Sequence, residues 1–230
     1  MLRMQPIVNL AQLTHSSLFN GFTDDELADL LGLLEAEQMT YNSEKTIIRE
    51  GERNPFIFVV LNGVAVAVKY DLGGKEEIYT RMTVGSVFGD VLAVSANSRS
   101  PVTVIAYPEA IILKFRFEVL VSAQARLPEL RTRLLKNLTS VLAQKFFDLQ
   151  DRVNILIRPT LREKIITFLY AESKKHRNTT FNISLNRERM AAYLNTDRSA
   201  LSRELSNLKK EELIDYYKNT FKVKGDKFER

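Results

Sequence analysis

The chain has 230 residues, 45% of them apolar and 27% charged, with no cysteine and a formal charge of +5. That length is generous for one domain and suits two, and the composition is that of a globular chain, which sets aside a disordered tail, a collagen-like fibre and a membrane channel. The lack of cysteine excludes disulfides, thiolate zinc sites, cysteine-ligated iron–sulfur clusters and cysteine nucleophiles, and two histidines, His15 and His176, are too few for a multi-histidine metal centre.

Residues 16–36 carry Leu18, Phe22, Leu27, Leu30, Leu31 and Leu34 at helical spacings. Thr23 before Asp24, Asp25 and Glu26 predicts a capped helix start, because a hydroxyl and nearby acids satisfy the free amides and the positive end of a helix. From Gln38 to Phe117 the texture changes to short β-branched and aromatic runs: Thr46–Arg49, Phe56–Leu61, Val64–Tyr70, Glu77–Met82, Val102–Ala106 and Ala110–Phe115. Turn chemistry separates them at Asn54-Pro55, Asn62-Gly63, Asp71-Leu72-Gly73-Gly74 and Pro108, which predicts an all-β barrel or sandwich. Val64, Val66 and Val68 alternate with Ala65 and Ala67, so both faces of that strand are expected to be covered.

Pro128 is expected to open a new helix of roughly thirty residues, ending near Pro159. Along it Leu135, Leu138, Leu142, Leu149 and Leu156 fit an alternating three- and four-residue spacing, with Lys145 and Arg152 at two seam positions. A long helix with a narrow apolar stripe reads as a dimer seam, and packing against its own β domain is the alternative.

After Pro159, Ile165, Phe168 and Leu169 mark one face of a helix over Leu161–Ala171, and an extended segment follows at Phe181–Leu185. Asn186 is placed to cap a helix Arg187–Leu194, Asn195-Thr196-Asp197 forms a break, and a second helix runs from Arg198 to about Lys210. Leu201, Leu205 and Leu208 would be buried on one side of it, leaving Arg198, Ser199, Ser202, Arg203 and Ser206 on the other. Two short helices across a three-residue turn fit a helix-turn-helix, and arginines with short hydroxyls suit a major groove. Leu213–Tyr217 and Thr220–Val223 around Lys218-Asn219 read as a hairpin wing. Charge supports this division. Residues 158–230 carry 17 Lys/Arg against 10 Asp/Glu, while the preceding 157 residues carry 16 against 18. A small basic unit beside a nearly neutral one points to nucleic acid, with Lys209, Lys210 and Lys218 as phosphate contacts.

The stretches Leu185-Asn186-Arg187-Glu188-Arg189-Met190-Ala191-Ala192-Tyr193-Leu194 and Arg198-Ser199-Ala200-Leu201-Ser202-Arg203-Glu204-Leu205 resemble the winged helix-turn-helix of the Crp–Fnr family. Phe88-Gly89-Asp90 followed by Arg99-Ser100 resembles that family's effector cassette. The resemblance implies an α+β fold: a cyclic-nucleotide-binding-like β roll over residues 1–127, a long dimerisation helix over 128–157 and a winged helix-turn-helix over 158–230. It implies a homodimeric, cytoplasmic transcription regulator on a palindromic double-stranded operator, working with RNA polymerase. Arg203 then matches the guanine-reading arginine, Arg198 a base- or phosphate-contacting arginine, and Ser202 a position often serine in the Fnr branch of the family. Ser199 stands where many members carry a base-reading glutamate.

The implied effector residues are Gly89, Asp90, Arg99, Ser100 and, on the long helix, Lys145. Arg99-Ser100 offers a charge-assisted anion site. Asp90 is one methylene shorter than the family's ribose-binding glutamate, and Lys145 and Phe146 stand where a threonine–serine pair meets adenine. Cyclic AMP is therefore one candidate among small-molecule effectors; an iron–sulfur cluster is excluded, and haem held by His15 or His176 is not expected. The longest apolar run, Phe56–Leu61, is far short of the ~18 residues of a membrane span, and no basic-then-apolar segment opens the chain as a signal would. No enzyme is expected, since acid–base and metal-binding spacings are missing and Gly73-Gly74-Lys75 reads as a hairpin turn. The competing reading is a cyclic-nucleotide-sensing regulatory subunit that acts on a protein partner.

Overall fold

The computed structural model describes residues 9–70, 76–95, 99–122 and 126–224. The chain divides into two compact units, residues 1–144 and 145–230.

The first unit opens with α1 (Leu10–Leu13), a single 3-10 turn at Ser17–Phe19 and α2 (Asp24–Leu33). Thr23 closes the predicted cap: its Oγ1 accepts from the Glu26 amide at 3.3 Å, and the Glu26 carboxylate accepts from the Thr23 amide at 3.0 Å. The helix thus begins at Asp24, and Leu18 is buried from the 3-10 turn before it. Next come β1 (Glu37–Tyr41), β2 (Thr46–Ile48), β3 (Phe56–Tyr70), β4 (Glu76–Met82), β5 (Val87–Phe88), α3 (Asp90–Val94), β6 (Thr103–Arg116) and α4 (Phe117–Val121). The strands form one antiparallel sheet in the order β1-β6-β3-β4, with β2 added on β6 and β5 on β3.

The pleat of β3 sends alternate residues to two cores. Ile57, Val59 and Leu61 join the leucines of α1 and α2, while Phe58, Val60, Ala65 and Ala67 fill the inside of the roll with Phe88 and Ile112. Val66 and Val68 pack with Ile105, so both faces of Val64–Val68 are covered as their sequence predicts. Two predicted breaks are not strand ends. Asn62-Gly63 and Pro108 lie within the continuous β3 and β6, at shifts of register between Val60 and Asn62 and between Gly63 and Ala65. Gly63 pairs with Ala110 and Ala65 with Ala106, so Tyr107, Pro108 and Glu109 bulge outward as exposed residues. Gly63 has φ +75°, and a Cβ there would lie 2.1 Å from the Glu109 carbonyl oxygen. The turn expected at Asp71-Leu72-Gly73-Gly74 lies outside the described residues.

α5 (Pro128–Leu156) starts at the predicted proline and runs 29 residues. Leu130, Leu134 and Leu138 are buried in the core of the first unit, where Arg133 pairs with Glu26 at 2.6 Å and Asn137 donates to the Leu18 and Asn20 carbonyls at 2.9 Å. Its last turns belong to the second unit, through the buried Ile155. The apolar stripe differs from the predicted seam. Leu138 faces the core, and the exposed large apolar residues are Phe146 (61%), Phe147 (55%), Leu149 (61%) and Val153 (49%), with Leu156 half-buried; Phe146, Leu149, Val153 and Leu156 share one face. Their spacing of three, four and three residues puts Lys145 and Arg152 beside the stripe and not in it.

The second unit continues with α6 (Leu161–His176), β7 (Thr180–Asn182), α7 (Arg187–Tyr193), α8 (Arg198–Lys210), β8 (Ile214–Tyr217) and β9 (Thr220–Val223). α6 extends five residues past the expected Ala171, to a left-handed Arg177 at φ +48°. The extended segment forms only three strand residues, and these pair with β9 to make a three-stranded sheet in the order β7-β9-β8.

Candidate nucleic-acid interface and effector site

The predicted helix-turn-helix is α7 and α8. Asn186 accepts from the Arg189 amide at 2.9 Å and caps α7. Asn195 turns the chain at φ +53°, and Asp197 caps α8 by accepting from the Ala200 amide at 2.8 Å. Leu201, Leu205 and Leu208 are fully buried with Met190, Leu194 and Ile165. This pins one face of α8, so Arg198, Ser199, Ser202, Arg203 and Ser206 are all exposed on the opposite side. From behind, Arg162 of α6 reaches Glu204 at 3.2 Å and both carboxylate oxygens of Glu211. The Glu211 bond holds the Arg162 guanidinium above its usual range.

The guanidinium groups of Arg198 and Arg203 form no hydrogen bond or ion pair among the described residues. Their donors face solvent. The wing is β8 and β9, turned at Lys218 with φ +52°. Arg187, which was not among the expected site residues, holds it. Its guanidinium lies 4.9 Å over Tyr216 and 4.8 Å over Phe221, and donates to the Lys218 carbonyl at 2.9 Å. Burial pushes its pKa down. Lys218 sits at the tip over Tyr217, which is 74% exposed. Lys209 is ion-paired with Asp215 at 2.6 Å and donates to the Tyr216 carbonyl.

The expected effector residues divide between the units. Gly89, Asp90, Arg99 and Ser100 lie in the first, and Lys145 lies exposed on α5 in the second. Gly89 (φ +73°) precedes α3 and is crowded by the Asn54 side chain, which donates to the Phe56 carbonyl at 2.6 Å and to the Gly89 carbonyl at 3.4 Å. Asp90 and Ser100 are buried, each 3% exposed. Ser100 Oγ donates to the Val102 carbonyl at 2.7 Å, and Arg99 Nη1 donates to the Gly51 carbonyl at 2.8 Å. Arg99 and Ser100 are thus engaged in fixing the loop around Gly51. Inside the roll, Phe58 stacks on Phe88 at 4.9 Å. A cleft of about 210 Å³ opens beside it, walled by Tyr41, Ile48, Arg53, Asn54, Phe56 and Lys114, without Gly89, Asp90, Arg99 or Ser100 on its lining. His15 and His176 are both exposed, and no group of three metal-ligating side chains occurs among the described residues.

Residues 38–125 match the family model of the cyclic nucleotide-binding domain, and residues 163–224 match that of the Crp-like helix-turn-helix domain. The chain belongs to the Crp–Fnr family. Members of this family are DNA-binding transcription regulators, which is not an enzyme class. No curated protein matches the sequence. Among solved structures, the catabolite activator protein of Thermus thermophilus is 22% identical, over 91% of this chain and 94% of that one, with a TM-score of 0.52. The c-di-GMP responsive global regulator CLP of Xanthomonas campestris is 16% identical over 89% and 100%, with a TM-score of 0.57. A CooA variant from Carboxydothermus hydrogenoformans is 18% identical over 87% and 92%, with a TM-score of 0.54. Each shares the fold of this Crp–Fnr chain. No helix among its described residues is long and apolar enough to cross a membrane.

Proposed function

We propose that this Crp–Fnr regulator binds palindromic double-stranded operators as a homodimer, and that a small molecule held by the β roll controls that binding. The observation that carries the reading is the division of α8. Three leucines anchor it in the core, and the opposite face presents Arg198, Ser199, Ser202, Arg203 and Ser206 to solvent. An arginine there can fork to O6 and N7 of guanine, and two such helices read half-sites about one helical turn apart. The stripe of Phe146, Leu149 and Val153 supports dimerisation, because three large apolar side chains on one helix face are costly to leave in water. Lys218 supplies phosphate attraction, Lys209 does so only where its ion pair with Asp215 is released, and RNA polymerase is the expected protein partner.

For the effector, the binding residues are proposed to be Gly89, Asp90, Arg99 and Ser100, with Lys145 from α5. Arg99 and Ser100 now bond to the Gly51 and Val102 carbonyls, so an anion would have to displace those bonds. That the Xanthomonas relative is c-di-GMP responsive fits an effector that varies between relatives of one fold. Cyclic AMP is one ligand to test.

Selection of bound duplexes from a random library, with Arg203→Ala as control, tests the reading. A two-fold symmetric motif is expected, lost in the variant, with a fall of roughly 1–3 kcal/mol at one guanine. The selection is repeated with cyclic nucleotides and metabolites. Equal binding of selected and random duplexes under every condition would shift the assignment to a regulatory subunit acting on a protein.

A further inference from the structure

The Asp197 carboxylate that caps α8 takes two hydrogen bonds on Oδ1, from the Ala200 amide at 2.8 Å and from Ser199 Oγ at 2.5 Å. The first is ordinary helix capping. The second fixes the proton of a side chain on the exposed face of α8. Bonds from Ser199 and Ala200, with the positive charge of Arg203 nearby, hold the Asp197 carboxyl below its usual range, so it is ionised at neutral pH. An ionised carboxylate only accepts, and the hydroxyl must be the donor.

A serine hydroxyl has one proton and two lone pairs. With its proton given to Asp197, Ser199 presents lone pairs alone. Ser202 and Ser206 are committed in a similar way, donating to the carbonyls of Arg198 and Ser202 at 2.8 and 2.9 Å. The commitments differ in strength, because a bond to a carboxylate is about twice as strong as one between neutral groups. Ser202 gives up only a neutral bond when it rotates. Ser199 would give up a charge-assisted bond.

We propose that Asp197 sets the hydrogen-bonding polarity of Ser199, so that Ser199 reads an amino group in the major groove, on cytosine or adenine, and discriminates against guanine and thymine. In that groove only cytosine N4 and adenine N6 are donors; guanine and thymine offer acceptors to an oxygen that has nothing left to give. Every base pair carries one such amino group, on one strand. Ser199 therefore selects which strand carries it, and not the identity of the pair. Arg198 and Arg203 have donors only and take the acceptor edges. The recognition face then has a fixed polarity: donors at 198 and 203, an acceptor at 199.

This inference rests on the DNA-binding reading, and one experiment separates their failures. The full chain, with Ser199→Ala, Asp197→Asn and Arg203→Ala, is titrated with duplexes carrying each of the four base pairs at every position of the selected half-site. At one position adenine and cytosine on the same strand are expected to bind about fivefold tighter than guanine and thymine. Ser199→Ala should flatten that position to within about twofold. Asparagine is as good an N-cap as aspartate, and matching circular dichroism melts check that α8 is retained. The asparagine Oδ1 can keep both bonds, but the bond from Ser199 then goes to a neutral acceptor and is about half as strong. The hydroxyl is then free to rotate, so Asp197→Asn should lose at least half of the preference while leaving the Arg203 position unchanged. A preference for guanine or thymine at the position Ser199→Ala flattens, or an Asp197→Asn profile identical to that of the parent, overturns the proposal. If Arg203→Ala flattens its own position and Ser199→Ala flattens none, only the role of Ser199 falls. If no position discriminates in the parent, the DNA-binding reading falls and takes this one with it.

Discussion

At Gly89 the backbone dictates the residue. Its φ of +73° is left-handed, and a Cβ would stand 2.8 Å from the Asn54 side-chain nitrogen, the Phe56 carbonyl oxygen and the Phe58 ring. Replacing it with alanine adds backbone strain to overpacking, and should cost about 2–4 kcal/mol, read as a lower urea midpoint by circular dichroism. Acid titration offers a second test at this scale. Glu26 is held below its usual range by the Arg133 bond first and then by the Thr23 amide; Asp215 is held below it by Lys209, then by the Tyr216 amide; Asp197 is lowered by Ser199 and Ala200. A carboxylate with a depressed folded pKa binds fewer protons folded than unfolded. Its stabilisation is present above the unfolded value, near ~4, and is lost as pH falls through the folded value. The melting temperature should therefore hold from pH 7 to about 5 and drop below pH 4. Asp197→Asn and Asp215→Asn should each make that drop shallower. The three carboxylates lie at the surface, so each effect is small and screened by salt.

Among the elements, α5 has the most to reveal, because its exposed stripe serves no core. If two copies meet along Phe146, Leu149 and Val153, a glutamate at 149 places two charges in the seam and removes two leucines, each worth roughly 1.5–3 kcal/mol of burial. Leu149→Glu should weaken self-association at least about a hundredfold and sediment as a monomer at micromolar concentration. Its circular dichroism should match the parent, since Leu149 is already exposed in the single chain. The register of this stripe was the part of the helix least legible beforehand. Leucine spacing alone selects Leu138 and steps through Lys145 and Arg152, whereas Leu138 is drawn into the β-roll core and the exposed stripe runs through Phe146 and Val153. Helix periodicity reveals that a stripe exists; which of two neighbouring stripes stays outside depends on what the first turns pack against. The strands show a similar limit. Asn62-Gly63 and Pro108 carry turn chemistry, yet a bulge needs the same residues as a turn, and only pairing between distant β3 and β6 decides between them. The caps at Thr23 and Asn186, the start at Pro128 and the leucine face of α8 were fully legible, because each depends on residues within a turn or two. The bond from Ser199 to Asp197 spans two residues and was legible in principle, as an acid at an N-cap followed by a hydroxyl. The engagement of Arg99 by Gly51, 48 positions away, was not.

Over the whole molecule, the basic excess belongs to the last 73 residues, so the DNA-binding unit should bind in a strongly salt-dependent way. Net charge counts every lysine alike; counterion release does not. Each lysine that touches a phosphate adds about 0.9 to the slope of log affinity against log salt. A lysine already held by a carboxylate adds little. Lys218 stands at the wing tip, with its ammonium resting, among the described residues, over the Tyr217 ring, while Lys209 is locked to Asp215 at 2.6 Å. Lys218→Gln should therefore lower the slope by about one, uniformly across specific and random duplexes. Lys209→Gln removes the same formal charge, yet should leave the slope nearly unchanged and weaken binding only through the freed Asp215 carboxylate. The reverse change is the sharper test. Asp215→Asn releases Lys209 toward the backbone and should raise the slope by as much as one phosphate contact while tightening binding at low salt. Fluorescence anisotropy of a labelled duplex between 50 and 200 mM salt measures all three variants. Equal slopes for Lys218→Gln and Lys209→Gln would mean that the ion pair opens on DNA, and that the unit's charge acts as a diffuse field instead of through placed contacts.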